Sequence, residues 1–217
     1  MNAAHNGTSA PAIAPCPGRR ERQRTQTRQK IYEAAMRLFA ERGFFATTTE
    51  DITEAADVGQ GTFFNYFPSK QHVLAVLPEI QVQKVVAARQ QAQEGLGSIR
   101  DLLHRLIHSI AKEPGRSGAL TRSLFVALLS SDAVRGMFCA GLGRGREELA
   151  AIMALGQERG EITRARRAAD VALAFQRTAL GTLFLWAAHE KGALKPCLEA
   201  AFADFWAAAA APEGRRR

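Results

Sequence analysis

Ile31, Ala34, Ala35, Leu38 and Phe39 fall at i, i+3, i+4, i+7 and i+8, the spacing of one apolar helical face. Gly43 closes this first strong helix, and Phe44 returns the chain to the core. Thr48 followed by Asp51 is a capping-box pair, with Asp in place of the usual Glu. It starts a short helix whose buried face is Ile52, Ala55 and Ala56. That helix breaks near Asp57, a residue that tolerates a left-handed turn, and Val58 supplies an apolar plug. A further short helix runs from near Gly59 to about Tyr66, where Pro68 bars the helical conformation at Phe67.

The next helix opens at Ser69 and Lys70 and carries Val73, Leu74, Leu77 and Ile80 inward. Pro78 lies inside it, so a kink or break is expected there. Helical periodicity then covers about 98–112, 116–130, 133–158, 166–190 and 195–210, punctuated by Gly115, Gly160 and Pro196. No segment shows strand alternation, a hairpin dipeptide or an internal repeat. The fold expected is all-α.

Charge sharpens the picture. Lys and Arg total 29 against 21 acids, a net +8 over 217 residues, which favours a polyanionic partner. Six of the positive residues (Arg19, Arg20, Arg22, Arg24, Arg28, Lys30) crowd the stretch just before and into the first helix, with Glu21 the one acid among them. Residues 1–24 are expected to be a disordered basic arm, either a solvated tail or an arm that meets phosphates or the minor groove, and 211–217 a frayed basic tail. No run approaches the roughly 20 apolar residues of a membrane span, and no signal-peptide core opens the chain, so a cytoplasmic protein is expected. Cys16, Cys139 and Cys197 are too scattered for a disulfide framework or a zinc pattern.

Two short helices joined by a tight turn have the geometry that lays a recognition helix in the major groove. Here the sequence resembles the TetR family of transcriptional repressors. The residues that carry the likeness are Gly43-Phe44-Phe45-Ala46-Thr47-Thr48, then Ile52, Ala55, Ala56 and Val58, then Gly61-Thr62-Phe63-Phe64-Asn65-Tyr66-Phe67-Pro68-Ser69-Lys70. The resemblance covers about residues 27–76. It implies a DNA-binding domain over 25–70 and an effector-binding and dimerisation domain over 71–210. It places Thr49, Thr62, Asn65, Tyr66 and Lys70 at phosphates, and Gln60, Gly61 and Phe64 near bases. The chemistry agrees: Gln pairs with adenine through two bonds, Gly lets the backbone approach, and Lys is a point charge. Thr48 is foremost a cap, and Phe63 and Phe67 are core residues. Gly59 stands where a Ser or Thr cap is common, Phe64 where Tyr is common, and the acidic Glu50 where bases are often read.

The same resemblance assigns the C-terminal helices to an effector pocket and a dimer seam. Pocket candidates are His104, Ile107, His108, Phe125, Leu128, Phe138, Cys139, Leu142, Phe175 and Thr178, with Leu103, Leu129, Arg122 and Gln176 behind them. No acid marks an interior stripe between Leu120 and Met153, so a neutral or anionic apolar effector is expected rather than a cation. Seam candidates are Leu173, Leu180, Phe184 and Ala187, with Phe202, Phe205 and Trp206 from the last helix, although the same stripe would serve an intramolecular bundle. Partners expected are a double-stranded DNA operator of pseudo-palindromic form, a small effector that releases it, and a second copy of the chain.

Rival chemistry is thin. His104 and His108 stand at i, i+4, a metal-compatible spacing, but no third ligand follows at a recognisable distance along the chain, so no metal is expected. Cys139 is a candidate redox sensor, more commonly a buried free thiol. Gly141-Leu142-Gly143-Arg144-Gly145 follows helical sequence rather than a strand, which argues for a flexible or kinked helix and against a phosphate loop. No catalytic triad, carboxylate pair or cofactor motif is present, so neither an enzyme nor a cofactor is expected. The alternatives kept are a metal- or redox-sensing regulator of the same fold, and a helical enzyme or protein-binding module without DNA binding.

Overall fold

The computed structural model describes residues 18–189 and 192–212; Cys16, most of the expected arm and the tail from 213 lie outside them. Ten α-helices follow in order: α1 Arg19–Arg42, α2 Thr49–Ala55, α3 Gln60–Tyr66, α4 Lys70–Leu74, α5 Val76–Gln93, α6 Ile99–Ala111, α7 Gly118–Ser130, α8 Asp132–Glu158, α9 Ala168–His189 and α10 Leu194–Ala209. A 3-10 turn at Pro114–Arg116 precedes α7. The described residues contain no strand, only an isolated bridge between Ile162 and Ala210.

The local signals act as the sequence suggests. Gly43 ends α1 at φ +84°, and Asp57 takes the left-handed turn at φ +48°. Thr48 Oγ1 accepts from the Asp51 amide at 3.1 Å while Asp51 Oδ2 accepts from the Thr48 amide at 2.7 Å, so the capping box is reciprocal. Phe67 is extended, as Pro68 demands. The expected break falls at Ala75, between α4 and α5, three residues before Pro78. Pro78 has no N–H for the Leu74 carbonyl and its ring crowds that carbonyl, so the ladder is interrupted at Leu74.

Three expectations are corrected. Arg19 to Arg24 are helical and exposed, the first turns of α1 rather than part of a disordered arm, because nothing in that stretch breaks a helix. Ala211 is not frayed: its amide donates to Glu161 O at 3.0 Å, which ties this residue to the loop after α8. The glycine run 141–145 is neither kinked nor loose. It lies in unbroken α8, where Gly141 and Gly145 are buried against α5. A Cβ at Gly141 would stand 2.5 Å from Pro78 Cβ, and one at Gly145 4.0 Å from Val82. The missing side chains let the two helices close.

Two apolar clusters hold the chain. The first joins α1 to α4 and does not stop at residue 70. It runs on through Val73, Leu74, Val76 and Leu77, and takes Leu120, Leu124, Ala127 and Val134 from α7 and α8. The second is built from α5, α6, α8, α9 and α10 around Leu103, Ile107, Ile152, Met153 and Phe175. By length and composition α9 is apolar enough to cross a bilayer, contrary to expectation, but it packs against α7, α8 and α10.

Candidate nucleic-acid interface and effector cavity

The short helix α3 is held from beneath. Phe63 and Phe67 are buried, with ring centroids 5.9 Å apart, and Phe63 meets Phe64 edge-on at 5.4 Å. This fixes which side of α3 looks outward: Gln60, Gly61, Phe64 and Asn65 are exposed, Phe64 by 53%. Thr62 and Tyr66 flank them half-buried, as does Thr49 at the start of α2. No side chain caps the α3 N-terminus at Gly59. Gln60 Nε2 instead donates to Glu50 Oε1 at 3.2 Å, so the candidate base reader is steadied by the acid across the turn.

Lys70 differs from a free point charge. Its ammonium donates to the carbonyls of Thr47 at 2.7 Å and Phe44 at 2.9 Å, and lies 4.8 Å from the Phe44 ring centroid. Burial pushes its pKa below the ordinary lysine value, with Asp51 opposing. It is a strap that ties the Gly43–Thr47 loop to α4. Phe45 in that loop is 59% exposed. Its signal in the sequence is the Phe44-Phe45 pair, of which adjacent positions can bury only one.

The basic end of α1 reaches this surface. Arg20, Arg24 and Arg28 share a cleft with Asn65 and Tyr66 of α3. Arg28 is anchored by Glu79 at 2.7 Å and lies 5.6 Å from the Phe67 ring centroid, while Arg19, Arg20, Arg22 and Arg24 are exposed.

Below the head, α5, α7, α8 and α9 enclose a cavity of about 170 Å³ with almost wholly apolar walls. Phe125, Leu128, Phe138, Leu142 and Phe175 line it as expected, with Gln176. The other candidates lie elsewhere. Ile107 and Leu103 are buried core, because α6 turns that stripe toward the second cluster. Cys139 and Leu129 face solvent on the outer sides of α8 and α7. Thr178 bonds back to Ala174 O at 3.0 Å, and Arg122 donates to Ala187 O at 2.9 Å. His104 and His108 look away toward α10, where Glu199 meets them.

Polar atoms at the wall are few. Gln176 Nε2 is spent on Leu142 O at 2.8 Å. Gln81 Nε2 donates to Glu113 Oε2 at 3.3 Å, which leaves Gln81 Oε1 buried with no hydrogen bond. Glu113 also meets Lys84; burial works against its charge, but the Lys84 bond and Gln81 hold its carboxyl below the usual range. Gln81 is thereby held at the edge of an apolar chamber.

The seam stripe is rotated from expectation. Ala187, Phe202 and Phe205 are buried within the chain, and Phe202 stacks with half-buried Trp206 at 6.3 Å. Leu180 lines the cavity and Leu173 is half-buried. Phe184 alone of the set is exposed, by 47%. The outward stripe of α9 is Arg177, Gly181, Phe184, Leu185 and Ala188, and that of α10 includes Cys197, Ala200, Ala203 and Ala207.

Residues 31–77 match the family model described as bacterial regulatory proteins, tetR family. The chain is 33% identical over 116 residues to the HTH-type transcriptional regulator TcmR of Streptomyces glaucescens, covering 46% of this chain and 51% of that protein. It thus spans about half the length, or less, of the curated relatives it matches. Among solved structures it superposes on SmeT, repressor of the Stenotrophomonas maltophilia multidrug efflux pump SmeDEF, with TM-score 0.68 at 23% identity over 86% of this chain and 91% of that one. Thermus thermophilus FadR, a TetR-family transcriptional repressor in complex with lauroyl-CoA, gives TM-score 0.60 at 26% identity over 88% and 98%.

Proposed function

We propose that this chain, a member of the TetR family by its N-terminal domain and its fold, is a homodimeric repressor that binds a pseudo-palindromic operator in the cytoplasm and is released by an apolar effector. The observation that carries the DNA reading is the division of α3. Phe63 and Phe67 bury its inner side, so Gln60, Gly61, Phe64 and Asn65 are offered together to a groove. The exposed arginines at the start of α1 border the same surface and supply charge for phosphates. Glu50, beside Gln60, acts by rejecting base pairs whose acceptors face it.

The cavity supports an effector whose buried part is hydrocarbon. FadR of Thermus thermophilus holds an acyl-CoA in this fold, so acyl thioesters are the first class to screen. The outward stripes of α9 and α10 are rich in small apolar residues, which suits a four-helix seam between copies.

The test is fluorescence anisotropy with DNA from upstream of the protein's own coding sequence. Sequence-specific, salt-sensitive binding is expected, reversed by a cavity ligand. Binding indifferent to sequence would overturn the repressor reading.

A further inference from the structure

His104 and His108 sit one turn apart on α6, and the fold brings Glu199 of α10 onto both of them, 95 residues along the chain from His104. His104 Nε2 lies 2.7 Å from Glu199 Oε2, and His108 Nε2 lies 3.0 Å from Glu199 Oε1. One ligand atom from each residue lies within 4.8 Å of the other two. The rings are steadied in place: the imidazoles meet edge-on at 5.0 Å, and His104 meets the buried Phe202 at 5.0 Å.

From this cluster we propose a binding site for a divalent transition-metal ion of the zinc type, formed by His104, His108 and Glu199 and tying α6 to α10. Two imidazoles and one carboxylate suit zinc, cobalt or nickel, whereas magnesium and calcium prefer oxygen alone. Tetrahedral bonds of zinc length set ligand atoms about 3.3 Å apart; the two histidine–Glu199 contacts, 2.7 and 3.0 Å, fall short of that, and the three ligand atoms all lie within 4.8 Å of one another. His108 Nε2 supplies a second argument. It is buried and has Glu199 nearby, yet makes no well-directed hydrogen bond. A cation between the two groups satisfies that nitrogen's lone pair and the carboxylate together. The side chains of His104 and Glu199 are 38% and 42% exposed, which leaves a path for entry and room for water or a fourth ligand.

The rival is a plain histidine–carboxylate pair. The two are separated by metal uptake, a readout independent of whether the chain binds DNA. The full, tag-free chain is titrated with Co(II) and followed by its visible d–d absorption, then with Zn(II) in competition. One Co(II) per chain with tetrahedral intensity is expected, displaced by one Zn(II). His108→Ala and Glu199→Gln should each weaken uptake by about tenfold or more, while His72→Ala and His189→Ala leave it unchanged. Glu199→Gln keeps the side chain's shape, and far-UV circular dichroism checks that each variant is folded. Absence of one-to-one uptake, or uptake insensitive to both His108→Ala and Glu199→Gln, overturns the site.

Discussion

Lys70 and Gln60 both bond to the stretch 47–50, Lys70 at Thr47 and Gln60 at Glu50, and are expected to fail differently. Lys70→Ala removes the donor that gathers the Phe44 and Thr47 carbonyls. Its main effect should be on order in the Gly43–Thr47 loop, seen as faster amide exchange there and a lower Tm, with binding to all DNA sequences weakened alike. Gln60→Ala should leave Tm unchanged. It should relax preference at one position per half-site, costing about 1–3 kcal/mol on the best operator. Thr48→Ala removes the cap of α2 and should cost about 1 kcal/mol in denaturant unfolding. Asp51 in that box is held below the ordinary aspartate value by the Thr48 amide, then by the Thr48 hydroxyl, with Arg42 assisting. A lowered folded pKa stabilises above the unfolded value, so this contribution is present at neutral pH. It disappears as pH falls through the lowered value, and Thr48→Ala should flatten that acid limb.

At the scale of elements, the contact between α5 and α8 rests on a glycine. Gly141→Ala sets a methyl against the rigid Pro78 ring, which cannot rotate aside. Unfolding measurements should show a loss of about 1–3 kcal/mol, and α5 should shift away from α8. Gly143→Ala, two residues on with open space at its Cβ, is the control and should be neutral or stabilising. Helix positions were legible in the sequence because period, caps and breakers agreed at Thr48, Asp57, Pro68 and Pro78. The rotation of α9 and α10 was not. Both are apolar nearly all round, so nothing local told Ala187 and Phe205, which face inward, from Ala188 and Ala203, which face out. Five of the expected residues line the cavity, being large and apolar on α7, α8 and α9. His104 and His108 were misplaced because their partner, Glu199, is remote in sequence.

For the whole molecule, the rotated stripe changes which substitutions test assembly. Gly181→Arg and Ala203→Glu place charge on the outward faces of α9 and α10 without touching the chain's own core. Analytical ultracentrifugation should show monomers for the pair, with tight operator binding lost and the monomer fold retained. Phe205→Glu should instead unfold the chain, since Phe205 packs 5.3 Å from the Phe175 ring inside the second cluster.

The break at Ala75 also gives α5 a mechanical character. Near its far end the carbonyl of Ala92 is gripped by Arg159 of the α8 C-terminus, and its near end joins the head, which also rests on α7 and α8. The cavity lies against it between these points, from Leu77 to Val85. Sixteen residues from pivot to load make an arm of about 24 Å, so a tilt of about 5° carries the head about 2 Å. In a two-fold pair both loads travel, and their separation changes by up to about 4 Å against a groove repeat of about 34–36 Å. Cutting the pivot with Arg159→Ala should leave effector affinity nearly intact while shrinking the effector's power to release DNA, measured as the ratio of operator Kd with and without ligand.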